Sequence, residues 1–138
     1  MSPAPALYNA TVMDHFLNPR NTGDVPEPEA TGEAGEPACG DTMRLTLRIK
    51  GGRILEARFR TLGCAAAIAS SSMATELLKG RTIGEARHFS NKEVVAALGG
   101  LPADKIQCSV LAAQALRAAL EDYESRQSEK GKPGRPGR

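Results

Sequence analysis

The sequence predicts an α+β fold in which a small antiparallel β-sheet of about three strands carries helices packed on one face. Two observations lead to this prediction. Apolar and polar residues alternate through two stretches that flank a Gly-Gly pair, a pattern typical of a β-hairpin. Elsewhere, apolar residues recur at helical spacing. The chain has 138 residues, enough for one domain with a hydrophobic core.

The first helix is expected from Tyr8 to Leu17, because Val12, Phe16 and Leu17 fall near one helical face. The segment NPRNTG, with a proline and a glycine, then ends the helix. The next segment, DVPEPEATGEAGEPACG, is rich in turn residues, so it is expected to hold at most a short edge strand.

The hairpin follows, with Gly51 and Gly52 as a two-residue turn that tolerates positive φ at both positions. Because side chains alternate between the two faces of a strand, every second residue of each strand is expected to face the core. These residues are Met43, Leu45, Leu47 and Ile49 on the first strand, and Leu55, Ala57 and Phe59 on the second.

The remainder of the chain is predicted to be helical. A helix rich in small residues starts at Cys64 and stops at Gly80. Two capping boxes, Thr82 with Glu85 and Ser90 with Glu93, are expected to open two short helices. A last helix is expected from about Gln107 to Gln127, and its apolar stripe consists of Cys108, Ala112, Leu116, Leu120 and Tyr123.

These elements place one domain at residues 8–127. Residues 1–7 are expected to form a flexible N-terminus. The basic tail, residues 128–138, is rich in Gly, Pro and charge and has no large apolar residue. A segment of this composition cannot bury enough apolar surface to fold, so the tail is expected to be disordered.

Composition excludes several classes of protein. The formal net charge is +2, and the positive charge lies in the C-terminal tail, so nucleic acid is not expected as a partner. No apolar run is long enough to span a membrane, and the N-terminal segment MSPAPALYNA lacks the features of a signal peptide. With an odd number of cysteines, three, the chain is expected to be cytoplasmic with reduced thiols and no membrane partner.

The cysteines suggest a metal site. Cys39 lies in a turn, while Cys64 and Cys108 lie at the first turns of predicted helices. Asp41 is two residues from Cys39, so an extended chain points both side chains to the same side. Three thiolates and a carboxylate are a donor set for tetrahedral zinc or for iron–sulfur iron. The spacing alone is equally compatible with three unrelated buried cysteines and no metal.

Four ordered motifs are more specific: YNATVMDHFLNPRNTG, GEPACGD, GCAAAIASSSMATELLKG and LPADKIQCSVLAAQAL. From Tyr8 to Tyr123 the chain resembles the iron–sulfur cluster assembly scaffolds of the IscU and NifU type. The resemblance implies a scaffold or carrier rather than an enzyme. Such a protein receives sulfur from a cysteine desulfurase and iron from an iron donor, holds a transient [2Fe–2S] cluster, and passes it to apo iron–sulfur acceptor proteins. It works as a monomer or a homodimer.

The same resemblance assigns roles to single residues. Cys39, Cys64 and Cys108 match the family cysteines that bind the nascent cluster, and each is a candidate to accept persulfide sulfur. Asp41 matches an aspartate linked to cluster lability and metal binding, and Zn²⁺ is expected at the same four residues in the cluster-free form. Lys105 matches a family lysine that lies near the site, where a cation stabilises thiolate or persulfide. An ordinary solvated lysine on a loop is the alternative for that position.

The chain departs from the family pattern immediately before the third cysteine. Scaffolds of this type carry a histidine there, whereas this chain has Gln107, a neighbour of the site that is a much weaker metal ligand. Of the two histidines, His15 is interpreted as a structural residue at a helix end and His88 as exposed. Asp41 is therefore the expected fourth ligand.

A second interpretation follows from this departure. Zinc-dependent SufU-type proteins, which accept sulfur from a cysteine desulfurase, also lack the histidine, but they carry a large insertion between the second and third cysteines. Only 43 residues lie between those cysteines here, which favours the scaffold. A purely structural zinc domain is a third interpretation. The segment LPADK stands where chaperone-assisted scaffolds have Leu-Pro-Pro-Val-Lys, which weakens the case for an Hsp70-type chaperone as a partner.

Overall fold

The order of the elements gives an α+β fold with one sheet. The computed structural model describes residues 8–36 and 40–130. Helix α1 (Ala10–Leu17) precedes three strands, β1 (Ala30–Glu36), β2 (Asp41–Lys50) and β3 (Arg53–Leu62). The helices α2 (Ala65–Leu78), α3 (Ile83–Arg87) and α4 (Asn91–Leu98), a 3₁₀ helix (Ala103–Ser109) and α5 (Val110–Lys130) follow. The predicted fold class is confirmed.

The sheet has the order β1-β2-β3, and both pairings are antiparallel. The predicted hairpin is present, and its turn has φ values of +63° at Gly51 and +74° at Gly52, which glycine adopts without steric cost. The turn-rich segment before the hairpin forms β1, a seven-residue edge strand that pairs Ala30 with Leu47.

One face of the sheet builds the core. Met43, Leu45, Leu47 and Ile49 are all buried, as predicted. Helix α5 packs on β1 and β2, and α2 packs on β3. The closest approach is at Gly32 of β1, where an added Cβ would lie 2.1 Å from the backbone oxygen of Ala115 in α5. Only glycine therefore allows α5 to cross β1 at this distance.

The prediction that Leu55 faces the core is wrong. Leu55 is 51% exposed, whereas its neighbour Ile54 is fully buried. The register of β2 against β3 shifts between Arg48, which pairs with Glu56, and Ile49, which pairs with Ile54. Leu55 is thus the additional residue of a β-bulge, and the inward and outward positions exchange on its two sides.

The starts of two helices differ from prediction. Helix α1 begins at Ala10 with Asn9 as its N-cap, and Leu17 at its other end is 65% exposed. The capping box of Thr82 and Glu85 is present. At the second predicted box, Ser90 is the N-cap of α4 but makes no capping hydrogen bond with its side chain.

Glu93 of that second box also forms an ion pair. Its carboxylate lies 2.6 Å from the guanidinium of Arg81 and also accepts a hydrogen bond from the backbone N–H of Ser90. Arg81 also lies over the ring of Phe89, with 5.2 Å between its guanidinium carbon and the ring centroid. The box is therefore half-formed, because Glu93 supplies its part and the Ser90 side chain does not supply the other.

The last helix also differs at both ends. Gln107 and Cys108 belong to the 3₁₀ helix, and α5 begins only at Val110. Its other end extends to Lys130, three residues past the predicted end at Gln127, so residues 128–130 continue the helix. The segments predicted to be flexible or disordered, residues 1–7 and the rest of the tail, lie outside the described residues. No helix in the described ranges is long and apolar enough to cross a lipid bilayer.

Candidate metal centre

Asp41, Cys64 and Cys108 converge at one end of the sheet. One donor atom from each side chain lies within 4.8 Å of the other two. The Sγ atom of Cys64 is 3.3 Å from Oδ2 of Asp41 and 3.6 Å from Sγ of Cys108. The three residues come from β2, the N-cap of α2 and the 3₁₀ helix. The fold thus assembles them from three separate elements.

The position of Asp41 depends on its strand and on a glycine beside it. Asp41 is the first residue of β2, and it is buried on the face that also carries Met43. An added Cβ at Gly63 would lie 2.5 Å from the carboxyl carbon of Asp41. The backbone N–H of Cys64 donates a hydrogen bond to Oδ1 of Asp41 at 3.3 Å. Because Gly63 has no side chain, it leaves space for the Asp41 carboxylate.

The two described cysteines differ in exposure. Cys64 is half-buried and is the N-cap of α2, although its side chain makes no capping hydrogen bond. Cys108 is fully buried. It precedes Ser109, whose hydroxyl donates to the Ile106 carbonyl at 2.5 Å and accepts from Asn91 at 3.1 Å. These bonds fix the end of the 3₁₀ helix.

The donor spacing suits one metal ion. Two sulfurs bound at about 2.3 Å to one tetrahedral zinc ion lie about 3.8 Å apart, close to the 3.6 Å between the Cys64 and Cys108 sulfurs. Thiolates with a carboxylate are ligands for zinc and for iron. Cys39, the remaining cysteine of the predicted set, lies outside the described residues.

Two further side chains lie near enough to this cluster for their charges to interact with it. The pKa of Lys105 is raised, chiefly by the negative charge of a Cys64 thiolate and then by that of Tyr8. Burial raises the pKa of the Tyr8 hydroxyl, the Lys105 cation lowers it, and the Cys64 and Cys108 charges raise it further. Lys105 and Tyr8 therefore belong to the electrostatic surroundings of the cysteines. Nothing in the sequence marked Tyr8 as part of the site, because only the tertiary fold brings it there.

The other polar residues considered from the sequence lie outside the described donor set. Gln107 is exposed beside Cys108, and His88 is exposed after α3. His15 is buried in α1, and its Nδ1 atom lies 2.8 Å from the hydroxyl of Ser72 in α2. Within residues 8–36 and 40–130, the group of possible metal donors therefore contains no histidine.

Comparison with known proteins places the chain in a family. Residues 7–130 match the model of the NifU-like N terminal domain. The chain belongs to this family. One relative in sequence is the iron–sulfur cluster assembly scaffold protein IscU 1 of Archaeoglobus fulgidus, 51% identical over 117 residues that cover 85% of this chain and 76% of that protein.

A second relative in sequence is the iron–sulfur cluster assembly scaffold protein IscU of Azotobacter vinelandii. It is 49% identical over 123 residues, which cover 86% of this chain and 95% of the relative. The fold also matches the crystal structure of a nitrogen-fixing NifU-like protein (N-terminal) from Brucella abortus. That match has a TM-score of 0.70 and 20% identity over 91% of this chain and 99% of the other. At this identity, it supports the fold alone.

Proposed function

We propose that this protein is a scaffold on which [2Fe–2S] clusters are assembled and from which they are transferred to acceptor proteins. The observation that carries the proposal is the convergence of Asp41, Cys64 and Cys108 in a chain of the NifU-like N-terminal family. Relatives named as iron–sulfur cluster assembly scaffolds support it. Cys39 is the proposed fourth residue of the site.

Sulfur enters the site by transfer from a persulfide on a cysteine desulfurase. A scaffold thiolate attacks the terminal sulfur of that persulfide, a new S–S bond forms, and the desulfurase thiolate leaves, so no net oxidation occurs. The described acceptor candidates differ in access, since Cys64 is half-buried and Cys108 is fully buried. Lys105, beside Cys64, is a cation that stabilises the negative charge of the persulfide.

Asp41 adjusts how firmly the cargo is held. Its carboxylate lies 3.3 Å from the Cys64 sulfur and is placed to share a metal with it. A hard oxygen is a poorer partner for cluster iron than a soft thiolate. With Gln107 in the place of a histidine and exposed to solvent, Asp41 becomes the donor that makes the cluster releasable. The proposed site therefore binds the cluster, but weakly enough for the cluster to be transferred to an acceptor protein.

A zinc-dependent sulfur acceptor that works with a cysteine desulfurase is the second candidate function. The lack of a histidine in the described donor set favours it. In that case Asp41 and the cysteines hold Zn²⁺, and one cysteine is released from the metal to accept sulfur. A fully formed zinc site in a small domain also contributes folding energy, about 10 to 16 kcal/mol in zinc-finger peptides.

Anaerobic incubation with iron, cysteine and a cysteine desulfurase distinguishes the two functions. The scaffold predicts a visible [2Fe–2S] chromophore that is lost in Cys64→Ser and Cys108→Ser and is retained in His88→Gln, a matched change at an exposed position. If no chromophore forms, and desulfurase turnover rises only when zinc is bound, the protein is a sulfur acceptor. Size-exclusion chromatography before and after cluster formation tells whether a homodimer holds the cluster.

A further inference from the structure

The pair of cysteines at this site combines close sulfurs with unequal access. Their Sγ atoms are 3.6 Å apart. Cys64 lies half-buried at the start of α2, whereas Cys108 is completely buried behind it. A dissolved oxidant therefore meets Cys64 first, and the Cys64 sulfur lies 3.6 Å from the buried Cys108 sulfur. This is the arrangement of an attacking thiol with a resolving thiol next to it.

We propose that Cys64 and Cys108 form a reversible disulfide in the metal-free protein, and that this disulfide closes the site to metal. A disulfide has sulfurs about 2.05 Å apart, so the pair must approach by about 1.5 Å from the 3.6 Å that separates them. Cys64 is an N-cap with extended backbone, φ −75° and ψ 172°, and Cys108 lies in the last turn of a 3₁₀ helix. Side-chain rotation at two element ends supplies the approach.

The reaction balances with a low-molecular-weight disulfide such as oxidised glutathione as the oxidant. The Cys64 sulfur attacks one glutathione sulfur, the glutathione S–S bond breaks, and the first reduced glutathione leaves with one proton. The Cys108 sulfur then attacks Cys64, and the second reduced glutathione leaves with the other proton. Two protein thiols lose two electrons to the oxidant, and excess reduced glutathione reverses both steps.

The disulfide would control loading of the site. It removes two thiolates from the donor set and leaves Asp41 as its remaining member among the described residues. A bound metal has the opposite effect, because it engages both sulfurs and protects them from the oxidant. The metal-free protein is therefore the form whose cysteines react with a low-molecular-weight disulfide. The proposal does not depend on the proposed function, since it concerns the thiols of the metal-free chain.

Peptide mapping can test the pairing directly, because trypsin places the three cysteines on separate peptides. Cys39 lies in residues 21–44, Cys64 in residues 61–79 and Cys108 in residues 106–117. Metal-free protein is incubated with oxidised glutathione, alkylated and digested without reduction. We expect a loss of two hydrogens from the intact mass, a link between the 61–79 and 106–117 peptides, and an alkylated Cys39.

Two variants and a metal control complete the test. Cys39→Ser should form the same link, whereas Cys108→Ser should stop with glutathione attached at Cys64. Zinc added before the oxidant should prevent the link. A link to Cys39, glutathione that persists on wild-type Cys64, or failure to oxidise while a small model dithiol in the same tube is oxidised would each overturn the proposal. The wild-type map decides even if a variant fails to fold.

Discussion

Asp41 contacts Cys64 twice with one carboxylate, through Oδ1 to the backbone N–H and through Oδ2 to the sulfur, each at 3.3 Å. The same side chain thus joins the start of β2 to the first turn of α2 and stands in the donor set for a metal. Asp41 therefore contributes to the stability of the fold and is placed to bind metal, and substitutions at this position can separate the two contributions.

If the protein is the proposed scaffold, replacing Asp41 by alanine should slow transfer of the cluster to an apo acceptor protein, because the proposed hard oxygen ligand, a poorer partner for cluster iron than a thiolate, is gone. Transfer is followed by circular dichroism as the acceptor gains its own cluster spectrum. Asp41→Asn, which keeps an acceptor for the Cys64 N–H, separates loss of charge from loss of the contact. Asp104→Ala, on the exposed side of the 3₁₀ helix, is the matched control. Unchanged transfer in Asp41→Ala would remove this residue from the mechanism.

Gly63→Ala should weaken metal binding and destabilise the fold by about 1 to 3 kcal/mol, a typical cost of adding a methylene where there is no space. The added Cβ would lie 2.5 Å from the Asp41 carboxyl carbon, so the carboxylate must move. Zinc titration with a competing chelator and urea unfolding measure the two effects. Gly84→Ala is the control, because the nearest atom to its added Cβ is 3.9 Å away. Equal behaviour of the two variants would contradict the close packing at Gly63.

Gln107→His tests the departure from the family pattern. An imidazole next to Cys108 should add a donor and strengthen zinc binding about tenfold or more, where tenfold equals about 1.4 kcal/mol. Gln107→Ala, which adds no donor, should leave the zinc affinity near that of the original chain. The competition assay with a chelator compares the three proteins. An unchanged affinity in Gln107→His would mean that position 107 lies beyond reach of the metal.

His15 should make stability depend on pH. Burial lowers the pKa of His15 and the nearby Arg20 cation lowers it further, against smaller opposite effects of Asp14 and Glu76. Because the unfolded chain then binds the proton more readily, the free energy of unfolding should fall as pH drops below the unfolded pKa of about 6.5. The loss continues until pH reaches the lowered folded pKa.

Urea unfolding of the original chain and of His15→Gln between pH 5 and 7.5 measures this dependence. The Ser72 hydroxyl accepts a hydrogen bond from the backbone N–H of Arg20 at 2.9 Å. The hydroxyl proton of Ser72 can therefore be donated to the Nδ1 atom of a neutral His15 imidazole. Glutamine can accept that bond without titrating. The variant should therefore show a flatter pH profile, and an identical slope in both proteins would assign the dependence to other groups.

The β-bulge leaves Ile54 buried and its neighbour Leu55 exposed, so the two residues should contribute differently to stability. Ile54→Ala should cost about 2 to 5 kcal/mol, because it leaves a cavity among fully buried residues. Leu55→Ala, on the exposed side of the bulge, should change stability by about 0.5 kcal/mol or less. Thermal and urea unfolding of the pair provide the comparison. Similar costs would show that the register shift between Arg48 and Ile49 is absent in solution.

The bulge also shows how far the sequence pattern can go. Alternation predicted the hairpin and its buried face correctly on β2, where Met43, Leu45, Leu47 and Ile49 are buried, although Thr46 of the opposite face is buried as well. On β3 the extra residue, Leu55, directly follows another apolar residue, Ile54, so the pattern allowed either one to face inward. Pairing with β2 decides between them, and a single strand's sequence does not contain that information.

The candidate site was likewise only partly predictable from the sequence. The residues of the donor cluster were identified from motifs, although spacing alone left the metal undecided, because Asp41, Cys64 and Cys108 are far apart along the chain. Their distances, the room that Gly63 provides and the position of Tyr8 depend on contacts between elements. Such contacts leave no periodic signal. The second capping box is formed only in part, because the Ser90 side chain makes no capping hydrogen bond, and the distant partner of Glu93, Arg81, is not marked in the local pattern.

Gly32, which lets α5 cross β1 closely, also bears on the position of the Cys108 sulfur. Gly32 touches α5 at Ala115 and Ala119, roughly 10 Å or more along the helix axis from Cys108. Helix α5 starts immediately after the 3₁₀ helix that carries Cys108, so a shift of α5 away from the sheet would also move this sulfur. A single methyl group added at Gly32 should therefore change the gap between the sulfurs of Cys108 and Cys64 without touching either residue.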